Sequence, residues 1–216
     1  MRKTKIICTI GPASESEEVM IGMCKAGMNI ARINFSHGTH PEHLQKIETI
    51  RKVREELNMP IAIMLDTKGP EYRIRTFENG KVFLQEGEPF TLCVDEVEGD
   101  EHQVSVSYEG LADDLEPGDR VLLNNGLLEL VVESIEGTRV HCRVTVGGEL
   151  SNRKSMSFPG KVLNQVYLSE TDKRDLLFGI EQGVDYVACS FVSRRQDLVD
   201  VRTFLDANGG GHISLI

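Results

Sequence analysis

Apolar positions change their spacing twice along the chain. In residues 5 to 67, short β-branched runs that are apolar almost throughout, "KIICTI", "NIARINF" and "IAIMLDT", alternate with stretches carrying a helical period. Unbroken apolar runs of this length fit strands covered on both faces, as in a parallel sheet. Between the first two, "SEEVMIGMCKAG" offers Ser16 as N-cap and Gly27 as a left-handed stop. The next helix opens at Pro41 and is expected to turn Leu44, Ile47, Ile50, Val53 and Leu57 to one side, with charges on the other.

From "DTKGPEY" the helical period vanishes for about ninety residues. Alternating runs replace it ("KVFL", "FTLCV", "HQVSVSY", "DRVLL", "LLELVV", "VHCRVTV"), separated by turn sequences such as "EPGD", "NNG" and "EGT". This pattern predicts a small antiparallel β-barrel or sandwich ending near "SFPGK". The first pattern then resumes. Ser169 and Asp172 form a capping-box variant, Leu176, Leu177 and Ile180 give an apolar face closed by Gly183, and "DYVACSF" is a fourth buried strand. A helix from about Arg195 to Asn208 carries Leu198, Val201, Phe204 and Leu205, and "HISLI" begins a fifth strand. The fold class is α/β: a partial (β/α)8 barrel interrupted after its third strand by a small all-β barrel domain. The expected division is 1–69, 70–160 and 161–216. A doubly wound open sheet gives the same local pattern, and periodicity does not choose between them.

Composition removes several functions. With 216 residues, 40% of them hydrophobic, the chain can bury a core larger than one average domain needs. Its formal net charge of -10 repels phosphate backbones and anionic membrane surfaces, so neither nucleic acid nor membrane is an expected partner. No run approaches the ~20 apolar residues of a membrane helix, and the apolar part of "MRKTKIICTIGP" is too short for a signal segment. Five widely spaced cysteines without a C-x-x-C pair read as buried free thiols, which fits a reducing cytoplasm.

Candidate chemistry gathers where the second strand ends, in "ARINFSHGTHPEH". Arg32, Asn34 and Ser36 lie two apart and are expected on one strand face at its carboxyl end. Asp66 and Thr67 occupy the corresponding end of the third strand. Ligands of parallel α/β sheets bind at these ends, and a guanidinium beside carboxylate, amide and hydroxyl oxygens suits an anion next to a cation. The competing reading is a loop-bracing network in which Ser36 and Asp66 only satisfy backbone groups. Ser36 with His37 lacks an orienting acid for nucleophilic chemistry. His40 and His43 near Glu42 do not make a metal site, because His43 starts a helix whose next turn is Lys46 and Ile47. "NGGGH" lacks the Lys-Ser/Thr of a P-loop.

"TKIICTIGPAS", "GMNIARINFSHGTHPEH" and "MLDTKGPEYR" resemble the N-terminal signatures of pyruvate kinases. "YEGLADDLEPGD", "FPGK" and "LSETDKRDLLFGIEQGVDYVACSFV" carry the resemblance through almost the whole chain. It implies a barrel with a β lid domain inserted after strand three, transfer of a phosphoryl group from phosphoenolpyruvate to ADP to give pyruvate and ATP in glycolysis, and use of magnesium and potassium. Carried over by position, Asn34, Ser36, Asp66 and Thr67 would supply oxygens to potassium, and Arg32 would hold the transferring phosphoryl group. Asn34, Phe35, Ser36 and His37 with Arg73 would face the nucleotide phosphates, and Lys154 would reach them from the lid. The resemblance also implies a homo-oligomer, a tetramer. Asn124 and Asn125 stand where the family usually has an aspartate pair. The family's catalytic lysine and magnesium carboxylates are expected just past Ile216. The 216-residue chain is therefore expected to be inactive alone, with exposed sheet edges, and the alternative is a non-catalytic nucleotide-binding or interaction module.

Overall fold

The computed structural model describes residues 3–216; Met1 and Arg2, the start of the basic N-terminal stretch, lie outside the described residues. The chain separates into two compact units, one made of Met1–Pro70 with Val166–Ile216 and the other of Glu71–Gln165. The second break thus falls after Gln165, beyond residue 160.

The first unit is α/β. Strands β1 (Ile7–Thr9), β2 (Ile30–Asn34) and β3 (Ala62–Asp66) alternate with helices α1 (Glu17–Ala26) and α2 (His40–Glu56). After the second unit's strands come α4 (Glu170–Glu181), β13 (Tyr186–Ala188), α5 (Arg195–Ala207) and β14 (Ser214–Leu215). The five strands pair in parallel in the order β1-β2-β3-β13-β14. Each new strand joins beside its predecessor and the order never reverses, which is the winding of a barrel rather than of a doubly wound sheet.

Capping follows the sequence signals. Ser16 Oγ accepts the Val19 N–H, Gly27 stops α1 at φ 115, and Ser169 and Asp172 form a reciprocal capping box. The apolar faces differ in detail from the expectation. In α2 the buried residues are His43, Ile47, Ile50 and Val53, with Leu44 only half-buried. In α4 they are Asp172, Asp175, Leu176 and Gly179, and Leu177 is 44% exposed. Neighbours in a helix point about 100° apart, so Leu176 and Leu177 cannot both face the sheet. Leu198, one turn into α5, is 37% exposed although its spacing of three and seven puts it on the same helix face as buried Val201 and Leu205. Strand β1 is also not covered on both faces: it is an edge strand, and Ile7 is 48% exposed. The core on the helix side is built from Met20, Ala31, Ile33, Ile47, Ile63, Leu65, Leu176, Val187, Val201 and Leu205.

The second unit holds a seven-stranded sheet in the order β4-β12-β8-β9-β10-β6-β7 and a separate pair, β11-β5. Their ranges are β4 Tyr72–Arg73, β5 Lys81–Leu84, β6 Pro89–Cys93, β7 Gln103–Ser105, β8 Arg120–Leu123, β9 Leu128–Glu136, β10 Arg139–Val146, β11 Gly148–Ser151 and β12 Ser155–Ser157. Pairing is antiparallel except between β6 and β7, which run parallel. A four-residue helix, α3 (Leu111–Asp114), interrupts the strands, so this segment is not free of helix. Its core centres on Phe90, Leu92, Val121, Leu130 and Val140. Asn124 and Asn125 sit at φ 50 and φ 57 in the β8–β9 turn. Asparagine tolerates this left-handed backbone better than most residues. The Asn125 N–H also donates to Ser155 Oγ at 3.0 Å.

Candidate functional site

Three parallel strands of the first unit end side by side in the register Thr9↔Arg32 and Asn34↔Asp66, with Ala188↔Asp66 on the far side. Period two sends Ala31, Ile33 and Leu65 into the helix-side core and leaves Thr9, Arg32, Asn34 and Asp66 on the opposite face. At its centre Arg32 Nη2 forms an ion pair with Asp66 Oδ2. Arg32 Nη1 donates to Thr9 Oγ1 at 2.6 Å. The Ser190 hydroxyl, just past β13, donates to Asp66 Oδ1 at 3.0 Å.

The pair is asymmetric. The side chain of Arg32 is 34% exposed and that of Asp66 only 9%. The carboxylate is therefore a buried anchor, and the guanidinium is the part a ligand can reach. Thr9 and Asp66 take two of its N–H donors, and the others have no partner among the described residues. A planar fork held on one edge is suited to bidentate capture of a phosphoryl or carboxylate group on the other.

Around this pair the oxygens proposed for potassium are partly committed. Asn34 Oδ1 accepts the Ser36 N–H at 2.9 Å. Thr67 Oγ1 donates to Ala188 O at 3.3 Å and accepts the Ser190 N–H at 3.2 Å. Strand β2 ends at Asn34, so Ser36 lies in the following turn and not on the strand face with Arg32 and Asn34. The Asn34 side chain folds over that turn and caps the Ser36 N–H. Loop bracing accounts for Asn34 and Thr67, which satisfy backbone groups, but not for Arg32, which keeps donors without a partner among the described residues.

Phe35 belongs to the core. The residue is 7% exposed, and its ring centroid lies 4.0 Å from that of buried His43 and 6.0 Å from that of Phe178. Only its backbone can serve a nucleotide; its N–H already donates to Asp66 O at 3.0 Å. His37 is exposed in the same loop. Burial lowers the pKa of His43, keeping it neutral beside Phe35. His40 Nε2 contacts Asp175 Oδ1 at 2.6 Å, and its ring stacks on Phe178 at 4.4 Å, tying the loop's exit to α4.

Arg73 and Lys154 belong to the second unit, where strands β4 and β12 bring them together through the register Ser155↔Arg73. Arg73 pairs with Glu71 and donates from Nη1 to Arg153 O at 2.7 Å. Lys154 is half-buried, and its ammonium makes no ion pair with a described residue.

Thr9, Ser190 and Tyr167, whose hydroxyl donates to Ser190 O at 2.7 Å, were not singled out from sequence. Thr9 and Ser190 could have been found, because both close apolar strand runs at the same end as Asn34 and Asp66. Tyr167 gives no such signal. Among the described residues no group of three or more His, Cys, Asp or Glu side chains is placed to hold a metal ion. No described helix is long and apolar enough to cross a membrane.

The chain matches the family model for the barrel domain of pyruvate kinase over residues 1–216. It is 48% identical over 218 residues to the pyruvate kinase of Staphylococcus saprophyticus, covering 100% of this chain and 37% of that protein. To the pyruvate kinase of Geobacillus stearothermophilus it is 44% identical over 217 residues, with coverages of 100% and 37%. For Clostridium perfringens pyruvate kinase the identity is 43% over 217 residues, with 100% and 46%. The chain thus spans 37–46% of the length of these relatives. A match across every described element, including the strand ends that build the Arg32–Asp66 site, places this chain in the pyruvate kinase family of phosphotransferases.

Proposed function

We propose that this chain supplies part of a pyruvate kinase active site, one that transfers a phosphoryl group from phosphoenolpyruvate to ADP to form pyruvate and ATP in glycolysis. The observation that carries this reading is the Arg32 guanidinium, fixed on one edge by Asp66 and Thr9 and open on the other. In-line phosphoryl transfer asks mainly for positioning and charge neutralisation, and Arg32 would provide both for the transferring group. Asn34, Ser36, Asp66 and Thr67 would supply hard oxygens with a single carboxylate among them, the charge balance of a potassium site, with Ser36 contributing from the turn after β2 rather than from the strand face. The backbone from Asn34 to His37 would meet the nucleotide phosphates; for Arg73 and Lys154, which belong to the second unit, a phosphate-binding role rests on the family resemblance alone. The second unit, Glu71–Gln165, would be the inserted lid expected over residues 70–160, and the first unit would be the barrel part expected over 1–69 and 161–216.

Magnesium fits this chain less well. The strand-end site holds one carboxylate, already bonded on both oxygens, whereas a divalent ion is usually held by one or two available carboxylates and substrate phosphates. No step is therefore assigned to magnesium on these residues. The same feature favours a second reading, a non-catalytic nucleotide-binding or interaction module. Under the kinase reading the working protein is a cytoplasmic homo-oligomer, a tetramer, with no nucleic acid or membrane partner.

The deciding experiment measures pyruvate release from phosphoenolpyruvate and ADP with magnesium, in potassium or sodium. It compares the 216-residue chain, a version continued to the length of its relatives, and that longer version with Arg32→Ala. The expected result is turnover of about 1–100 per second only in the longer protein with potassium, and a loss of about 100-fold or more with Arg32→Ala. Unchanged turnover in Arg32→Ala removes Arg32 from the site. No turnover in either wild-type length, with both folded, leaves the module reading.

A further inference from the structure

Ser190 is engaged through every polar atom it has. Its N–H donates to Thr67 Oγ1 at 3.2 Å, its hydroxyl donates to Asp66 Oδ1 at 3.0 Å, and its carbonyl accepts from Tyr167 Oη at 2.7 Å. The same carbonyl is met by Gly69, where an added Cβ would stand only 2.4 Å from it. Directly after Ser190 the backbone passes through Phe191 at φ 59, a conformation that is costly for an aromatic residue and persists only where its surroundings impose it.

Asp66 shows what this fixation serves. The terminal torsion of an aspartate is broad and roughly two-fold, so a carboxylate bonded through one oxygen can still rock about it. Here both oxygens are bonded, Oδ2 to Arg32 and Oδ1 to Ser190, which fixes the carboxylate plane. The guanidinium of Arg32 aligns to that plane on one arm and to Thr9 Oγ1 on the other.

We propose that Ser190 is a positioning residue whose hydroxyl sets the plane of the Asp66 carboxylate and, through it, the direction in which the Arg32 guanidinium meets an anionic ligand. For the nature of the ligands, a phosphorylated carboxylic acid and an alkali cation, this rests on the proposed function. The orientation of Arg32 itself does not. A loop brace that happened to touch Asp66 would leave Arg32 unaffected when its hydroxyl was removed, and this separates the two roles.

The test compares the 216-residue chain with its Ser190→Ala, Ser190→Thr and Ser190→Cys variants. One readout is the nitrogen NMR signals of the Arg32 guanidinium, assigned with Arg32→Lys. The other is binding of thallium(I), a potassium substitute, followed by thallium NMR. Ser190→Ala is expected to merge Arg32 Nη signals that are separate in the parent and in Ser190→Thr, and to weaken thallium binding about tenfold, the usual scale for a hydrogen bond to a charged group. Ser190→Cys, similar in size but a weak donor, should fall between them and replaces the alanine variant if that one does not fold. Separate Arg32 signals in Ser190→Ala overturn the proposal, as does equal merging in the alanine and threonine variants. If the parent binds no thallium while the Arg32 effect holds, the potassium assignment falls and the positioning role stands.

Discussion

Gly69→Ala is the substitution for which the structure gives the sharpest magnitude. Gly69 has φ +61, so a side chain there incurs the left-handed penalty, about 1–2 kcal/mol. The added Cβ would also lie 2.4 Å from the Ser190 carbonyl oxygen, a backbone atom that cannot rotate aside. Relieving such overpacking costs about 1–3 kcal/mol more, for a total of about 2–5 kcal/mol. Gly183 is the internal control in the same unit: its φ is +54, with nothing within 4 Å of its added Cβ, so Gly183→Ala should show the backbone penalty alone. Native-state hydrogen exchange at the β3 and β13 amides reads the stability of this unit without requiring the whole chain to unfold in one step. At about 1.4 kcal/mol per tenfold, Gly183→Ala should speed the slowest amides by about 5- to 30-fold, and Gly69→Ala by about 30-fold to several thousandfold. Equal effects at the two positions would refute the claim that Gly69 is held against Ser190.

Two further outcomes follow from titrating groups. Burial pushes Asp197 upward, but the Ser193 and Arg194 N–H groups and the Arg194 guanidinium outweigh it and leave the carboxyl below its ordinary range. Its folded-state pKa is depressed, so its contribution is complete above the unfolded value of about 4 and is lost as pH falls through the folded one. Exchange protection at the start of α5 should weaken over that acid window in the parent and not in Asp197→Ala; parallel profiles would sink the assignment. Burial pushes the Cys142 thiol up to about 12 and the Cys189 thiol up to about 11. At pH 8 both should react with a disulfide reagent more slowly than in urea-unfolded chain, buried Cys142 more so than half-buried Cys189, and equal rates in folded and unfolded chain would contradict that shielding.

Much of the site was legible because parallel strands report their ends. An apolar run that closes on a polar residue marks the carboxyl edge, and Arg32, Asn34 and Asp66 were found in this way. Thr9 and Ser190 close "ICT" and "ACS" in the same way, but each follows a shorter apolar run, so their signal is weaker. Ser36 was misplaced for a different reason. Spacing by two holds while the strand lasts, and the hydrogen bond from its N–H to Asn34 Oδ1 shows that the chain has already turned. Phe35 carries the same lesson: its place in a polar motif hid an aromatic ring that packs on His43.

By itself the sequence determined the order of elements, the caps at Ser16 and Ser169, the switch from helical to alternating period near residue 70, and the family signature. These are local properties, set by residue spacing and by backbone preferences over a few positions. Only the tertiary structure decided that Arg32, Asp66, Thr9 and Ser190 form one chain of hydrogen bonds and that Gly69 abuts Ser190. Those partners are distant along the chain, and hydrogen bonding depends on tenths of an ångström and on angle, which no one-dimensional spacing encodes.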